Sequence, residues 1–287
     1  MKPTYISEIE ELNLEGWTLK EETSTFQVYQ KDGIDKKLQI FDNYTLEENY
    51  KGEKLNGSLV GRMKKPFFQY PNYRSKIYLI ESYKEGLMEG VSENFYDDGS
   101  KTRQEWKNDQ LNGKWEEWFG TGQKEKEKNY VNGNLNGEQC EWYENGQLKF
   151  KENFINGLQV GESEEYLENG KLKRKKFYNN GKIEGLVYEL WDFKGKVVDG
   201  GIYSETEYVG DIPNGKETVF YPTGNKMREG IIVNGKENGE RVWYNSNGTK
   251  SIREYYNNGE LEGKRFLYDE NGNLENIQEY LNGERIS

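Results

Sequence analysis

Residues 137–160 read GEQCEWYENGQLKFKENFINGLQV, and residues 161–184 read GESEEYLENGKLKRKKFYNNGKIE. The two stretches are one sentence written twice, 24 residues per copy. In each copy a glycine opens, an Asn-Gly ends nine residues later, and a second Asn-Gly ends four residues before the next opening glycine, Gly161 or Gly185. Most of the remaining chain is this sentence with edits. A fixed period in this range is the signature of a stacked array in which each copy leans on its neighbours.

Outward from that stretch, an aromatic lies seven residues before nearly every opening glycine. The series runs Tyr50, Tyr83, Trp106, Tyr130, Phe154, Tyr178, Tyr208 and Tyr256, with Ile232 the one aliphatic member. A second series follows five residues after the glycine, including Phe95, Trp118, Trp142, Tyr166, Phe220, Tyr244 and Tyr268, with Leu190 in the register. A third, six residues after, holds Tyr96, Phe119, Tyr143, Leu167, Trp191 and Tyr221, and gives way to Asn245 and Asp269. In those two late copies Trp243 and Leu267 bring apolar character one position earlier, which reads as a one-residue slip of the strand against its turn. The rings are expected to lie over one another in successive copies and so to form the core.

Each copy reads as a β-hairpin. Leu148, Phe150 and Phe154 share one parity and Lys149, Lys151 and Asn153 the other, the alternation of a strand with one drier face. Asn-Gly between two such runs is a strong hairpin signal, since both residues accept positive φ. The expected fold is all-β: a single-layer antiparallel sheet of about ten stacked hairpins. Residues 46–287 are read as the array and 1–45 as a cap with a degenerate copy. Within the cap, Glu8 to Glu22 could form a short helix, and Phe26 to Phe41 reads as a hairpin around Asp32-Gly33. Two copies are lengthened, one near residues 62–70 and one at 200–209; such insertions belong in loops on one side of the array.

Composition narrows the function. The chain of 287 residues carries a net charge of −11, which repels nucleic acid and anionic lipid and favours a basic protein partner. The sequence has no alanine, and glycines interrupt it too often for long helices. It has no histidine, hence no imidazole base, nucleophile pair or histidine metal ligand. Cys140 is the single cysteine and reads as a small strand residue, in keeping with a reducing cytoplasm. The acidic start shows no signal peptide, and no apolar run is long enough to cross a bilayer. No catalytic residue set, cofactor site or metal site is read. The basic run Lys171–Lys176 alternates as a strand, so its charges divide between faces; it reads as solvated, with a contact to an acidic partner as the alternative.

The pattern G-x4-[WFY]-Y-x-N-G, followed by an apolar residue, an aromatic and N-G, resembles the MORN repeat family in its bacterial variant. Glu138 to Gly157 carries it most fully, and 214–235 and 239–259 come close. The resemblance implies hairpins stacked into an elongated, curved sheet. It also implies a non-enzymatic binding role, as a protein-binding scaffold of bacterial antitoxin or immunity type whose partner would be a basic toxin. A membrane-surface or envelope-associated scaffold that binds anionic lipid is the alternative. This chain lacks the His-Gly step and basic residues of the eukaryotic repeat, which favours the protein-binding role. Trp115, Trp118, Trp142, Trp191 and Trp243 are the candidate contact residues, because tryptophan is enriched at interface hot spots.

Overall fold

Turn chemistry lays out this chain, and strands fill the intervals. The computed structural model describes residues 18–22, 26–31, 34–40, 44–51, 54–55, 57–63, 76–191 and 201–287. Among them there is no helix. The chain divides into two compact units, Met1–Asn134 and Leu135–Ser287. Each is a meander of antiparallel strands in which long strands pair with their sequence neighbours. In neither unit does the last described strand pair back to the first.

One repeat of the second unit serves for the rest. Strand Gly137–Trp142 turns at Tyr143–Gln147 into strand Leu148–Ile155, which turns at Asn156-Gly157 into the two-residue strand Leu158–Gln159. The two Asn-Gly turns differ. At the second, Asn156 (φ 50) and Gly157 (φ 81) are both left-handed, and Ile155 pairs directly with Leu158, as a two-residue primed hairpin requires. At the first, only Gly146 has positive φ. Asn145 instead accepts the Gln147 N–H on its side-chain oxygen at 2.9 Å. This is the three-residue loop that ends in a bulge, and the register steps between Glu141 and Trp142.

The opening glycine has its own reason. Phe154 pairs with Gln159, and Lys151 pairs with Glu164, so four residues face two across the ladder. Val160 and Gly161 take up the excess, and Gly161 does so at φ 71, where a side chain would be strained.

The aromatic series acquires a different meaning. Phe154 stands opposite Gly137, Tyr178 opposite Gly161, Tyr208 opposite Gly185, Tyr256 opposite Gly239 and Tyr280 opposite Gly263. Each ring thus answers the glycine that opens its own repeat, where no side chain competes for the space. Rings of this series in successive repeats do not lie over one another as expected. They are two strands apart, about 10 Å, which exceeds the reach of ring contact. In the second unit the ring pairs among described residues are Tyr188–Tyr203 at 5.5 Å and Tyr203–Phe220 at 4.5 Å. The fully buried side chains are smaller: Ile202, Val219 and Met227 form a dry cluster, with Trp191 and Tyr221 packed against it.

What joins repeat to repeat is a pair of hydrogen-bonded seams along the turns. At one end of the strands the turn amide of each repeat donates to a carbonyl of the one before. The second unit has Gly157 to Leu135, Gly181 to Gln159, Asp211 to Ile183, Gly235 to Pro213, Gly259 to Glu237 and Gly283 to Leu261, all between 2.8 and 3.1 Å. At the other end the third aromatic series contributes. The Tyr143 hydroxyl donates to the Tyr166 carbonyl at 2.9 Å and the Tyr221 hydroxyl to the Tyr244 carbonyl at 2.8 Å.

Several expectations shift accordingly. The late repeats show no slip: Tyr244 pairs with Lys250 and Tyr268 with Leu274, in the register of Trp142 with Leu148. Asn245 and Asp269 simply stand in the seam tyrosine's place, where Asp269 accepts the amides of Asn271 and Asn273. The lengthened repeat does not loop out at 202–209. Ile202–Val209 is a strand paired on both sides, with a register step only at Glu207, so the extra residues fall between Trp191 and Ile202. In the first unit, residues 18–22 of the expected helix are strand, while 8–17 lie outside the described residues. Phe26–Lys31 and Ile34–Ile40 form the expected hairpin. Of the other insertion, residues 64–75 lie outside the described residues.

Candidate functional site

The five tryptophans occupy different registers and opposite faces. Trp115 and Trp118 are three residues apart on strand Gln110–Trp118, hence on opposite faces of the first unit. In the second unit Trp191 and Trp243 stand an even number of residues from their opening glycines and Trp142 an odd number, so these too are divided. All five are half-buried and four are visibly engaged. Lys101 and Lys124 lie over Trp118 at 4.3 and 5.6 Å, and Lys128 lies over Trp115 at 5.0 Å. Trp191 packs on the dry cluster. Trp243 donates its indole N–H to Glu254 at 2.9 Å, with Arg228 over its ring. The structure therefore does not gather them into one patch.

The basic run is neutralised where it stands. Lys173 and Arg174 pair with Glu165, Arg174 also with Glu189, and Lys175 with Glu162 and Glu164. Among the described residues no cluster of histidine, cysteine, aspartate or glutamate has the arrangement of a metal site. Cys140 is half-buried, and its thiol donates to Glu138 Oε1 at 3.5 Å.

Sequence reasoning missed a buried charge network in the late repeats. Arg241, 4% exposed, bonds Glu217 at 3.0 Å and also Glu237. Glu217 takes a second guanidinium from Arg228 at 3.3 Å. Glu254, 3% exposed at its residue, accepts from Trp243 and from Tyr256 at 3.1 Å, and pairs with Arg265 at 3.1 Å. Burial lowers the Arg241 pKa from its ordinary value, and Glu217 opposes that shift. The signal was faint: the equivalent position two residues after the glycine holds Gln139, Ser163 and Val187 in other repeats, and only Arg241 and Arg265 are cationic.

Beside it, Glu229 accepts from Lys226 at 2.8 Å and from the Tyr244 hydroxyl at 2.6 Å. These bonds hold its pKa down at about 2, from the usual 4.5. Burial, then the same carboxylate, pushes Tyr244 up to about 12. Because the folded Glu229 binds its proton more weakly than the unfolded one, its contribution is complete above the ordinary carboxylate range. It is lost as pH falls from about 4.5 toward about 2. The side chain is partly exposed, so screening trims the effect to about 1–2 kcal/mol. Urea unfolding at pH 6 and at pH 3 should show a smaller loss of stability in Glu229→Gln than in the parent, by the larger part of that amount, since at pH 3 the folded carboxyl is still mostly ionised.

The comparisons fall on this geometry. Four stretches match the MORN repeat variant: residues 111–132, 135–156, 159–180 and 261–282. Each match to a MORN repeat covers one hairpin, two long strands with the turn that joins them. MORN repeats are generally protein- or membrane-binding repeats and act as non-catalytic scaffolds. No curated protein matches the chain.

Proposed function

We propose that the chain is a non-catalytic scaffold of bacterial antitoxin or immunity type, which acts in the cytoplasm by binding a basic partner protein on its sheet. The observation that carries the reading is the combination of MORN-type repeats with a net charge of −11. An acidic scaffold attracts a basic partner over a distance set by ionic strength, about 8 Å at 0.15 M salt and about 30 Å at 0.01 M. Steering of that kind raises association rate and suppresses like-charged competitors.

The test is co-purification of the tagged full chain from the cells that make it, at low salt, followed by a salt titration of the complex. A basic protein that binds stoichiometrically and dissociates faster as salt rises is expected. Recovery of no protein, together with sedimentation on vesicles of anionic lipid, would overturn the reading in favour of a membrane-surface scaffold.

A further inference from the structure

The second unit exposes an apolar side chain at one position where its other repeats place charge. One residue after the opening glycine the repeats carry Glu138, Glu162, Lys216, Glu240 and Lys264, but in one repeat the position is Leu186. Leu186 is 54% exposed. Lys175 pairs with Tyr188, and just beyond that pair, where two residues of one strand face four of the other, stand Phe177, 47% exposed, and Leu186. On the other side Leu186 pairs with Glu207, two residues before Val209, which in turn pairs with Ile212. Val209 and Ile212 are 54% and 48% exposed. Contiguous exposed apolar surface of this kind marks an interaction site.

Four carboxylates stand around it, beside Lys175 and Lys216, which are already held by Glu162, Glu164 and Glu229. Glu184 accepts the Gly210 amide at 3.2 Å, Asp211 the Ile183 amide at 2.7 Å and Glu207 the Lys216 amide at 2.8 Å. Glu205 stands opposite Tyr188 on the same stretch of sheet. Among the described residues none of these four carboxylates has a cation at ion-pair distance, whereas the neighbouring Glu162, Glu164, Glu165 and Glu189 all do.

We propose that Phe177, Leu186, Val209 and Ile212 form a docking surface for a basic protein segment that presents apolar side chains between arginines or lysines. The proposal rests on the protein-binding reading above and names the surface and the chemistry of the partner. Its apolar centre takes the partner's apolar side chains, and its carboxylate rim takes the cations that flank them. An anionic membrane meets the same carboxylates and is repelled.

A fluorescent peptide alternating Arg with Leu is titrated with the full chain and followed by anisotropy. Peptides alternating Arg with Ser and Glu with Leu are the controls. Only the Arg/Leu peptide is expected to bind, more weakly as salt rises. Leu186→Glu, which restores the charge usual at this exposed position, should weaken it on the order of tenfold or more. Glu205→Gln should flatten the salt dependence. Ile277→Glu, at another exposed apolar residue, should leave binding unchanged. Equal binding of the Arg/Ser peptide, or an unaltered affinity in Leu186→Glu, overturns the proposal. A partner protein that co-purifies with Leu186→Glu at undiminished affinity overturns this surface and leaves the scaffold reading standing. Binding to neither peptide nor protein overturns both.

Discussion

Gly215→Ala is expected to cost about 3 kcal/mol of stability, and Gly224→Ala about 1 kcal/mol. Both glycines hold positive φ, 140° and 90°, so backbone strain is common to the two. The difference lies in what a methyl group would meet. At Gly224 nothing lies within 4 Å. At Gly215 the new carbon would stand 2.0 Å from Glu207 Oε2 and 2.7 Å from Glu207 Cβ. The first contact could be relieved by turning a flexible carboxylate away. The second involves the root of the side chain and needs the backbone to move. Turning the carboxylate also forfeits its bond to the Lys216 amide, at 2.8 Å.

The sheet explains why a glutamate fills this space. Thr206 pairs with Glu217 and Tyr208 with Pro213, so the register steps at Glu207. In this repeat the strand Ile212–Phe220 runs unbroken through the glycine. The carboxylate reaches across and caps an amide that the ladder leaves over. Gly113 repeats the device in the first unit, with Glu105 Oε2 at 2.1 Å from the ideal carbon and the Lys114 amide bonded at 3.2 Å. Chemical denaturation of the three alanine variants, Gly113, Gly215 and Gly224, checks the order. Equal losses would mean that φ strain alone decides.

That arrangement also shows how far the sequence could be read. The period, the strands and both turns were legible because Asn-Gly and glycine report backbone conformation directly, and backbone conformation repeats with the residues that require it. The hairpin at Phe26–Ile40 was legible for the same reason. Pairing across the sheet was harder. The aromatic seven residues before a glycine is a true regularity, but its partner is the glycine behind it, and only the ladder shows that. The insertion was misplaced by about ten residues because Gly200 and Gly201 look like turn residues, whereas the register of Tyr208 fixes the strand that follows. The seam role of Tyr143 was invisible, since a hydroxyl bonded to a carbonyl 23 residues away leaves no local pattern. The candidate tryptophans were chosen by residue type. Their registers divide them between faces, while the exposed apolar position that breaks the repeat's charge rule is Leu186.

Replacing Arg241 should have the largest effect in the late repeats. Arg241→Met is expected to lower stability by about 2–3 kcal/mol, because it takes a buried guanidinium away from the half-buried carboxylates of Glu217 and Glu237. Methionine fills the space of the arginine stem as far as Nε, so the loss comes mainly from the missing guanidinium. Glu217 keeps Arg228, which softens the loss; among the described residues Glu237 has no second cation at ion-pair distance. The neighbouring strand is shaped to this side chain. Glu217 pairs with Gly230, and a carbon added at Gly230 would stand 3.1 Å from Arg241 Nε. Other repeats of the second unit hold Glu152, Lys176, Thr206, Glu254 or Gln278 in that place, so a glycine there is particular to this repeat. Arg241→Lys keeps the charge but loses the fork that reaches Glu217 and Glu237 together, and should cost about 1–2 kcal/mol. The decisive variant is Arg241→Met with Glu217→Gln. If the loss comes from an uncompensated carboxylate, the second change should recover part of it, and a double-mutant cycle should return a coupling of about 1–2 kcal/mol. The coupling should persist at high salt, since buried pairs are screened little. A methionine variant as stable as the parent would mean instead that the desolvation cost of the ions had matched their attraction, and that the network selects a register without adding stability.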